Sequence, residues 1–142
     1  MLRIESFSLE QTREVAKSMG QKAQSGQIIC LCGDLGTGKT AFSKGFGEGL
    51  GVADDIVSPT FGLVHVYEGR LSLYHFDVYR IHSVSEMEDT GYEDYFYGDG
   101  VCLVEWADLV RDIIPESAIW VRIRKDYSKG DDYRLIEIEG RE

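Results

Sequence analysis

The residues that most clearly indicate a chemistry are eight consecutive positions, Gly33-Asp34-Leu35-Gly36-Thr37-Gly38-Lys39-Thr40. At every fixed position they fit the pattern G-x-x-x-x-G-K-[ST] of a phosphate-binding loop. The glycines lack a Cβ, so the backbone can wrap its N–H groups around a chain of phosphates. We expect Lys39 to contact the β and γ phosphates of a bound nucleotide, and the Thr40 hydroxyl to bind Mg²⁺.

The segments on either side of this loop fit the same interpretation. Residues 27–32 form a short apolar run, long enough for one buried strand, and residues 40–50 have apolar side chains at helical spacing. A phosphate-binding loop requires a strand, a glycine-rich turn and a helix in that order. The helix would begin at the loop with unpaired N–H groups and the positive end of its dipole, which favours an anion there.

The predicted helix has two different stripes of residues. Phe42, Phe46 and Leu50 lie four residues apart on an apolar stripe, with Gly45 and Gly49 on the neighbouring one. Each glycine costs a helix about 1 kcal/mol relative to alanine, so this helix needs tertiary packing to persist. We expect the glycine stripe to allow a close approach to a sheet.

Two acidic residues follow apolar runs, Asp77 after residues 71–76 and Glu105 after residues 101–104. In open α/β sheets the carboxyl ends of the strands face the ligand crevice, which places Asp77 well to meet a metal ion. Glu105 takes the place of the Walker-B acid, which is usually aspartate. Because glutamate is one methylene longer, we expect Glu105 either to act on the metal through water or to orient the attacking water.

Two further residues are weaker candidates. Thr60 follows Ser58-Pro59 in the loop after the first helix of the phosphate-binding unit, where such proteins often have a threonine that senses the γ phosphate and the metal. The alternative is a Ser-Pro turn in which Thr60 only starts a strand. His75 is the one histidine that the pattern places near the site, two residues before Asp77.

The remaining patterns predict the rest of the fold. They indicate a first strand at residues 1–7, a capped helix at 8–20 and a hairpin at 62–76. Further along, they indicate two helical segments broken at Gly91 within 84–97, a short helix at 107–114 and a final antiparallel pair at 118–139. The predicted fold class is α/β, with one domain over residues 1–142. Its sheet is mixed and mostly parallel, with antiparallel hairpins, and helices flank it.

Composition limits the function classes. The 142 residues include 15 basic and 25 acidic ones, a formal charge of −10, and the basic residues are scattered. This argues against unaided nucleic-acid binding, so any link to RNA would run through a partner. The sequence lacks an apolar run of the roughly 18 residues that span a bilayer, which predicts a cytoplasmic protein. Cys30, Cys32 and Cys102 lie in apolar strands, where core packing is the expected role.

Four motifs in this order resemble those of the TsaE (YjeE) family of small bacterial ATPases, which take part in threonylcarbamoyladenosine modification of tRNA. They are residues 33–40, Ser58-Pro59-Thr60-Phe61, His75-Phe76-Asp77-Val78-Tyr79-Arg80 and Leu103-Val104-Glu105-Trp106. The resemblance covers essentially the whole chain. One difference is Ala107, where many relatives have proline after the tryptophan.

The resemblance implies a mixed α/β phosphate-loop fold, ATP with Mg²⁺, and binding to the synthase heterodimer of TsaB and TsaD. It implies that Asp77 and Glu105 are the metal and catalytic carboxylates, Thr60 the switch residue and Trp106 a position tied to activity. By the same similarity, the chain would contact tRNA only indirectly. Its ATP turnover would reset the synthase between cycles rather than perform the carbamoyl transfer.

These observations lead to a hypothesis of Mg²⁺-dependent ATP hydrolysis. Lys39 and the loop amides would hold the phosphates, Thr40 and Asp77 would coordinate Mg²⁺, and Glu105 would help to position the attacking water. The sequence has no evident glutamine or arginine finger in cis, apart from Arg80, which predicts slow turnover alone and faster turnover with partners. The guanine-recognition motif N-K-x-D is missing from the sequence, which favours ATP over GTP.

Two other functions stay open at this point. A small-molecule or nucleoside kinase could use the same fold, although the sequence has no arginine-rich lid and little length for an acceptor pocket. A nucleotide-gated binding module that needs no hydrolysis is the other alternative. If the synthase loses activity with the Glu105→Ala variant, this binding-module alternative is wrong.

Overall fold

A computed structural model describes residues 2–33, 38–56, 64–79, 84–88 and 90–140 of the chain. The strands are β1 Leu2–Ser6, β2 Ile28–Cys32, β3 Val64–Tyr67, β4 Leu73–Asp77, β5 Val101–Glu105, β6 Ile119–Lys125 and β7 Arg134–Glu139. The α-helices are α1 Leu9–Lys22, α2 Lys39–Gly49, α3 Val84–Glu88 and α4 Tyr92–Phe96, and two 3₁₀-helices cover Ala107–Ile113 and Tyr127–Lys129.

The seven strands form one mixed sheet in the order β1-β7-β6-β2-β5-β4-β3. Its centre is parallel, since β6 pairs with β2, β2 with β5 and β5 with β4 in that sense. The pairs β1 with β7, β6 with β7 and β3 with β4 are antiparallel. All residues of β2 and β5 are buried, as expected for central parallel strands covered on both faces. The predicted mixed α/β class, with four of the seven strands in the parallel centre, is confirmed.

Helices cover both faces of the central strands. On one face α1 and α2 pack over an apolar cluster that includes Leu31, Phe42 and Leu103. On the other face α3, α4 and the first 3₁₀-helix cover a second cluster. The three cysteines are buried in this second cluster, so their predicted core packing is confirmed. Burial raises the pKa of their thiols, that of Cys102 to about 12, which leaves little reactive thiolate at neutral pH.

Helix α1 begins with the predicted capping box. The Ser8 hydroxyl accepts a hydrogen bond from the backbone N–H of Gln11 at 3.1 Å, and the Gln11 side chain accepts one from the N–H of Phe7 at 2.7 Å. The predicted end of the helix near Gly20 is two residues short, because α1 continues to Lys22.

Gly20 serves helix packing instead of ending the helix. A Cβ at Gly20 would collide with the carbonyl oxygen of Phe46 and with Gly49, both on α2. The end of α1 is stabilised from outside by Arg70, whose guanidinium donates hydrogen bonds to the carbonyls of Gly20, Gln21 and Ala23. A cation that hydrogen-bonds the last carbonyls of a helix also interacts favourably with the negative end of its dipole.

The glycine stripe of α2 faces α1, so the expected close approach to a sheet is wrong. A Cβ at Gly45 would run into the carbonyl oxygen of Arg13, and one at Gly49 into that of Lys17. The apolar stripe of α2 faces the sheet, and its residues Phe42 and Phe46 are fully buried there. Large side chains fill the space above the sheet, and the glycines let the two helix backbones approach each other.

Several other sequence predictions agree with the structure. The hairpin is β3 with β4, the final antiparallel pair is β6 with β7, and Gly91 separates α3 from α4 with a left-handed φ of 72°. Gly51 follows the end of α2 with a φ of 80°, as a terminating glycine should. Among the described residues, none of the helices has both the length and the apolar character needed to cross a membrane.

Candidate functional site

The two predicted carboxylates lie side by side at the carboxyl ends of neighbouring parallel strands. Asp77 ends β4, Glu105 ends β5, and the two residues are partners in the strand register. Beyond the strands, the N–H of Val78 still donates to the carbonyl of Glu105 at 3.3 Å. On the other side of β5, β2 leads directly to Gly33. Three adjacent parallel strands therefore deliver both acids and Gly33, the first residue of the predicted phosphate-binding loop, to one edge of the sheet.

The described part of the predicted phosphate-binding loop consists of its two ends, residue 33 and residues 38–40. Gly38 has a left-handed φ of 101° and precedes the first residue of α2, and the Lys39 ammonium donates a hydrogen bond to the carbonyl of Gly33. The Lys39 ammonium also lies 3.5 Å from the ring centroid of Trp106. Four predicted nucleotide-binding residues, Asp34, Leu35, Gly36 and Thr37, lie outside the described residues, and so do Thr60 and Arg80.

One open cleft of about 930 Å³ brings most of the described candidates together, whereas Gly33 and His75 do not line it. Its walls include Gly38, Lys39, Thr40, Asp77, Glu105 and Trp106. The volume falls in the range of small-molecule and cofactor sites, which is roughly 300–1,000 Å³. A cation, a hydroxyl and two carboxylates thus face the same space at the start of α2.

Asp77 is partly buried at a position that favours binding of a cation. Burial raises the pKa of Asp77 above its ordinary value, the hydrogen bond from the N–H of Tyr79 opposes this, and the nearby charge of Glu105 adds to the increase. The Tyr79 hydrogen bond measures 3.0 Å and uses only Oδ1. A carboxylate that is partly desolvated beside a second carboxylate gains from a metal ion, which supplies the missing positive charge.

Glu105 is held by two neighbours on one of its oxygens. Its Oε2 lies 2.6 Å from Nε2 of His75 and 3.4 Å from Oγ of Ser43. The single hydrogen of the Ser43 hydroxyl is shared with the carbonyl of Lys39, which is closer at 3.0 Å, so the contact with Glu105 is the weaker of the two. Ser43 lies on α2, and this contact therefore places Glu105 beside the first turns of that helix. The sequence pattern had placed His75 near the site without assigning it a partner, and it had missed Ser43.

Comparison with known proteins identifies the family. Residues 6–135 match the sequence profile of the family described as threonylcarbamoyl adenosine biosynthesis protein TsaE. The chain belongs to the TsaE family. The resemblance predicted from the four motifs is therefore confirmed.

Individual relatives match most of this TsaE-family chain. It is 46% identical over 128 residues to the tRNA threonylcarbamoyladenosine biosynthesis protein TsaE of Bacillus subtilis, covering 89% of this chain and 78% of the relative. The corresponding protein of Treponema pallidum is 41% identical over 123 residues, covering 87% and 91%. The crystal structure of Bacillus subtilis YdiB superposes with a TM-score of 0.77 at 40% identity, covering 95% of this chain and 82% of that one.

Trp106 of this TsaE-family chain has an unusual backbone conformation. Its φ of 62° makes it the single non-glycine residue with a left-handed φ among the described residues. Its N–H still donates to the carbonyl of Leu31 at 3.1 Å, and its ring contacts both the ammonium of Lys39 and the ring of Tyr79, whose centroid is 4.6 Å away. Such conformations persist where the surroundings enforce them, often at functional sites.

The oxygen donors fit magnesium better than a softer metal. Thr40, Asp77 and Glu105 offer a hydroxyl and two carboxylates, which are hard ligands. Within the described ranges, the structure contains no cluster of three or more His, Cys, Asp or Glu side chains that would enclose a metal. A magnesium ion that binds with a nucleotide takes most of its ligands from water and phosphates and needs only one or two protein carboxylates.

Other walls of the cleft could not be inferred from the sequence. Leu9 and Arg13 of α1 and Lys44 of α2 also line it. None of these residues is a position of the nucleotide-binding motifs. Leu9 and Arg13 reach the cleft only because α1 packs against α2, and Lys44 lies on α2 itself. An exposed Leu9 at the start of a helix gives no signal of this placement in the sequence.

Proposed function

We propose that this chain is an Mg²⁺-dependent ATPase that supports formation of threonylcarbamoyladenosine in tRNA. Its family is named for threonylcarbamoyl adenosine biosynthesis, and its relatives are named as tRNA threonylcarbamoyladenosine biosynthesis proteins. We further propose that it acts by binding the synthase heterodimer of TsaB and TsaD, and that it meets tRNA only through that complex. The formal charge of −10 agrees with indirect contact, because direct binding needs many basic residues at the phosphates.

The observation that supports hydrolysis most strongly is the convergence of Lys39, Asp77 and Glu105 on one cleft at the start of α2. Phosphoryl transfer to water requires positioning and charge neutralisation more than covalent chemistry. Lys39 and the N–H groups at the start of α2 would hold the β and γ phosphates of ATP.

The two carboxylates would have different tasks. Thr40 and Asp77 would hold Mg²⁺, which neutralises phosphate charge in such sites when it is bound. Glu105 would accept a hydrogen bond from the attacking water and so orient it towards the γ phosphate. The tie of Glu105 to α2 through Ser43 would keep this carboxylate close to the phosphates.

The experiment for this function compares ATP turnover by the isolated chain with turnover in the presence of TsaB, TsaD and substrate tRNA. We expect slow turnover alone and an increase of at least about tenfold with the complex, because groups supplied in trans accelerate this chemistry strongly. Lys39→Ala is the control for contaminating ATPases and should abolish the stimulated rate.

Other outcomes would favour the rival functions. Turnover that is equally fast without the partners would contradict activation by the complex. Formation of ADP that depends on an added nucleoside or sugar would indicate a kinase. If threonylcarbamoyladenosine forms at the normal rate with Glu105→Ala, hydrolysis is dispensable and the chain is a nucleotide-gated binding module.

A further inference from the structure

A buried histidine contacts Glu105 and has no task in the function proposed above. The side chains of His75 and Glu105 are 1% and 5% exposed, and the 2.6 Å contact joins Nε2 to Oε2. This distance is at the short end for a nitrogen donor and an oxygen acceptor, as in charge-assisted hydrogen bonds. A buried carboxylate needs such donors, because its desolvation is otherwise very costly.

The strand register explains how the two side chains meet. His75 and Asp77 lie two residues apart on β4 and therefore on the same face of the sheet. His75 is the register partner of Leu103, and Glu105 lies two residues further along β5, so it is the diagonal neighbour of His75. The Glu105 side chain must lean back along the sheet to reach the imidazole. The additional methylene of glutamate, compared with the usual aspartate, provides this reach.

The hydrogen-bond partners of His75 determine which of its ring nitrogens donates to Glu105. A carboxylate only accepts hydrogen bonds, so Nε2 has to donate. The other ring nitrogen, Nδ1, is buried and has no hydrogen-bond partner among the described residues. A hydrogen on Nδ1 would be buried without an acceptor, which is unfavourable, so the contacts favour the tautomer with its hydrogen on Nε2.

We propose that His75 is a positioning residue that fixes the carboxylate of Glu105. By holding Oε2, the Nε2–H group would leave Oε1, which has no hydrogen bond to the described residues, available to the cleft that Glu105 lines. The inference rests on the proposed ATPase function, because an oriented Oε1 matters only if Glu105 places the attacking water. A misplacement of about 1 Å in such a group can cost about a hundredfold in rate.

The first test compares three substitutions of His75 in ATP turnover with TsaB, TsaD and tRNA present. Glutamine places an amide N–H near the position of Nε2, asparagine places one near Nδ1, and leucine removes the donor. We expect His75→Gln to retain kcat within about threefold, and His75→Asn and His75→Leu to lose about ten- to hundredfold with KM for ATP unchanged. Wild-type kcat in His75→Leu, or a His75→Gln protein as slow as His75→Leu, would overturn the proposal.

The second test asks whether His75 acts through Glu105. Glu105→Asp keeps the charge but is too short to reach the imidazole, so the contact is already lost in this variant. In that background, we expect His75→Leu to change kcat by less than about threefold, because positions that act as a unit are not additive. A loss as large as in the wild-type background would mean that His75 acts independently, and the proposal would be wrong.

The third test needs no ATP hydrolysis. In the proton NMR spectrum of the free chain, the Nε2 hydrogen should give a downfield, slowly exchanging signal, since it is buried in a short hydrogen bond. The signal should disappear in Glu105→Asp and in His75→Leu, and its persistence in Glu105→Asp would overturn the contact. A chain that shows the signal but hydrolyses no ATP, even with the partners, would contradict the ATPase function and not the contact.

Discussion

Substitution of Glu105 by glutamine is expected to lower kcat for ATP by about a hundredfold or more, the usual loss when a general base or water-orienting carboxylate is removed. The amide keeps the shape of the side chain but has only one acceptor oxygen and no charge. Binding of ATP should change by less than about threefold, because in the proposed function Lys39 and the loop would hold the phosphates and Glu105 would not. Steady-state turnover and equilibrium titration with a non-hydrolysable ATP analogue measure the two effects separately.

The matched control is Glu93→Gln, which removes an exposed carboxylate from α4, an element outside the cleft. This variant should behave like the wild-type chain in both measurements. If Glu105→Gln retains more than a tenth of the wild-type kcat, a value well above the expected loss, another group must place the water. The catalytic assignment of Glu105 would then be wrong.

The second large effect is expected from Gly45→Ala, in the contact between α1 and α2. Alanine favours a helix over glycine by about 1 kcal/mol, so a gain in stability would be expected at an open position. Here the new Cβ would collide with the backbone carbonyl of Arg13, and a backbone cannot move aside as a side chain can. Overpacking usually costs about 1–3 kcal/mol, and a collision with a rigid backbone belongs to the upper end of that range. After the gain of about 1 kcal/mol in helix propensity, we expect a net loss of about 1–2 kcal/mol in the free energy of unfolding, measured by urea denaturation.

Gly47→Ala is the control on the same helix. A Cβ at Gly47 would lie 2.8 Å from Cγ1 of Ile56, a side chain that can rotate away. The gain in helix propensity is the same in both variants, so Gly47→Ala should be more stable than Gly45→Ala by about 1 kcal/mol or more. Equal stability of the two variants would contradict the close helix contact described for the glycine stripe.

The sequence was most informative where a local pattern defines local geometry. A strand that ends in an acid predicts a carboxylate at one edge of the sheet, and this holds for Asp77 and Glu105 because both belong to parallel strands. Equally, the glycines and Lys39 of the loop predict the start of α2, since turn, helix and charge lie in consecutive residues. Their roles in nucleotide binding stay predictions.

The sequence was least informative where the structure depends on contacts between distant residues. The pairing of His75 with Glu105 requires the register of β4 against β5, which no pattern within either strand defines. Similarly, the stripe of Gly45 and Gly49 indicates a close approach but not the partner, which is α1 and not the sheet. Gly20 looked like a helix stop for the same reason, because its packing against α2 is invisible in the local sequence.

The most direct test of the central claim is calorimetric titration of the chain with ATP and Mg²⁺. The account predicts that one nucleotide binds per chain and that this binding requires Lys39. The affinity should fall at least about tenfold on Lys39→Ala, because a charged hydrogen bond to phosphate contributes about 1.5–3 kcal/mol. No measurable uptake by the wild-type chain, or equal affinity in the Lys39→Ala variant, would contradict a phosphate site at the start of α2.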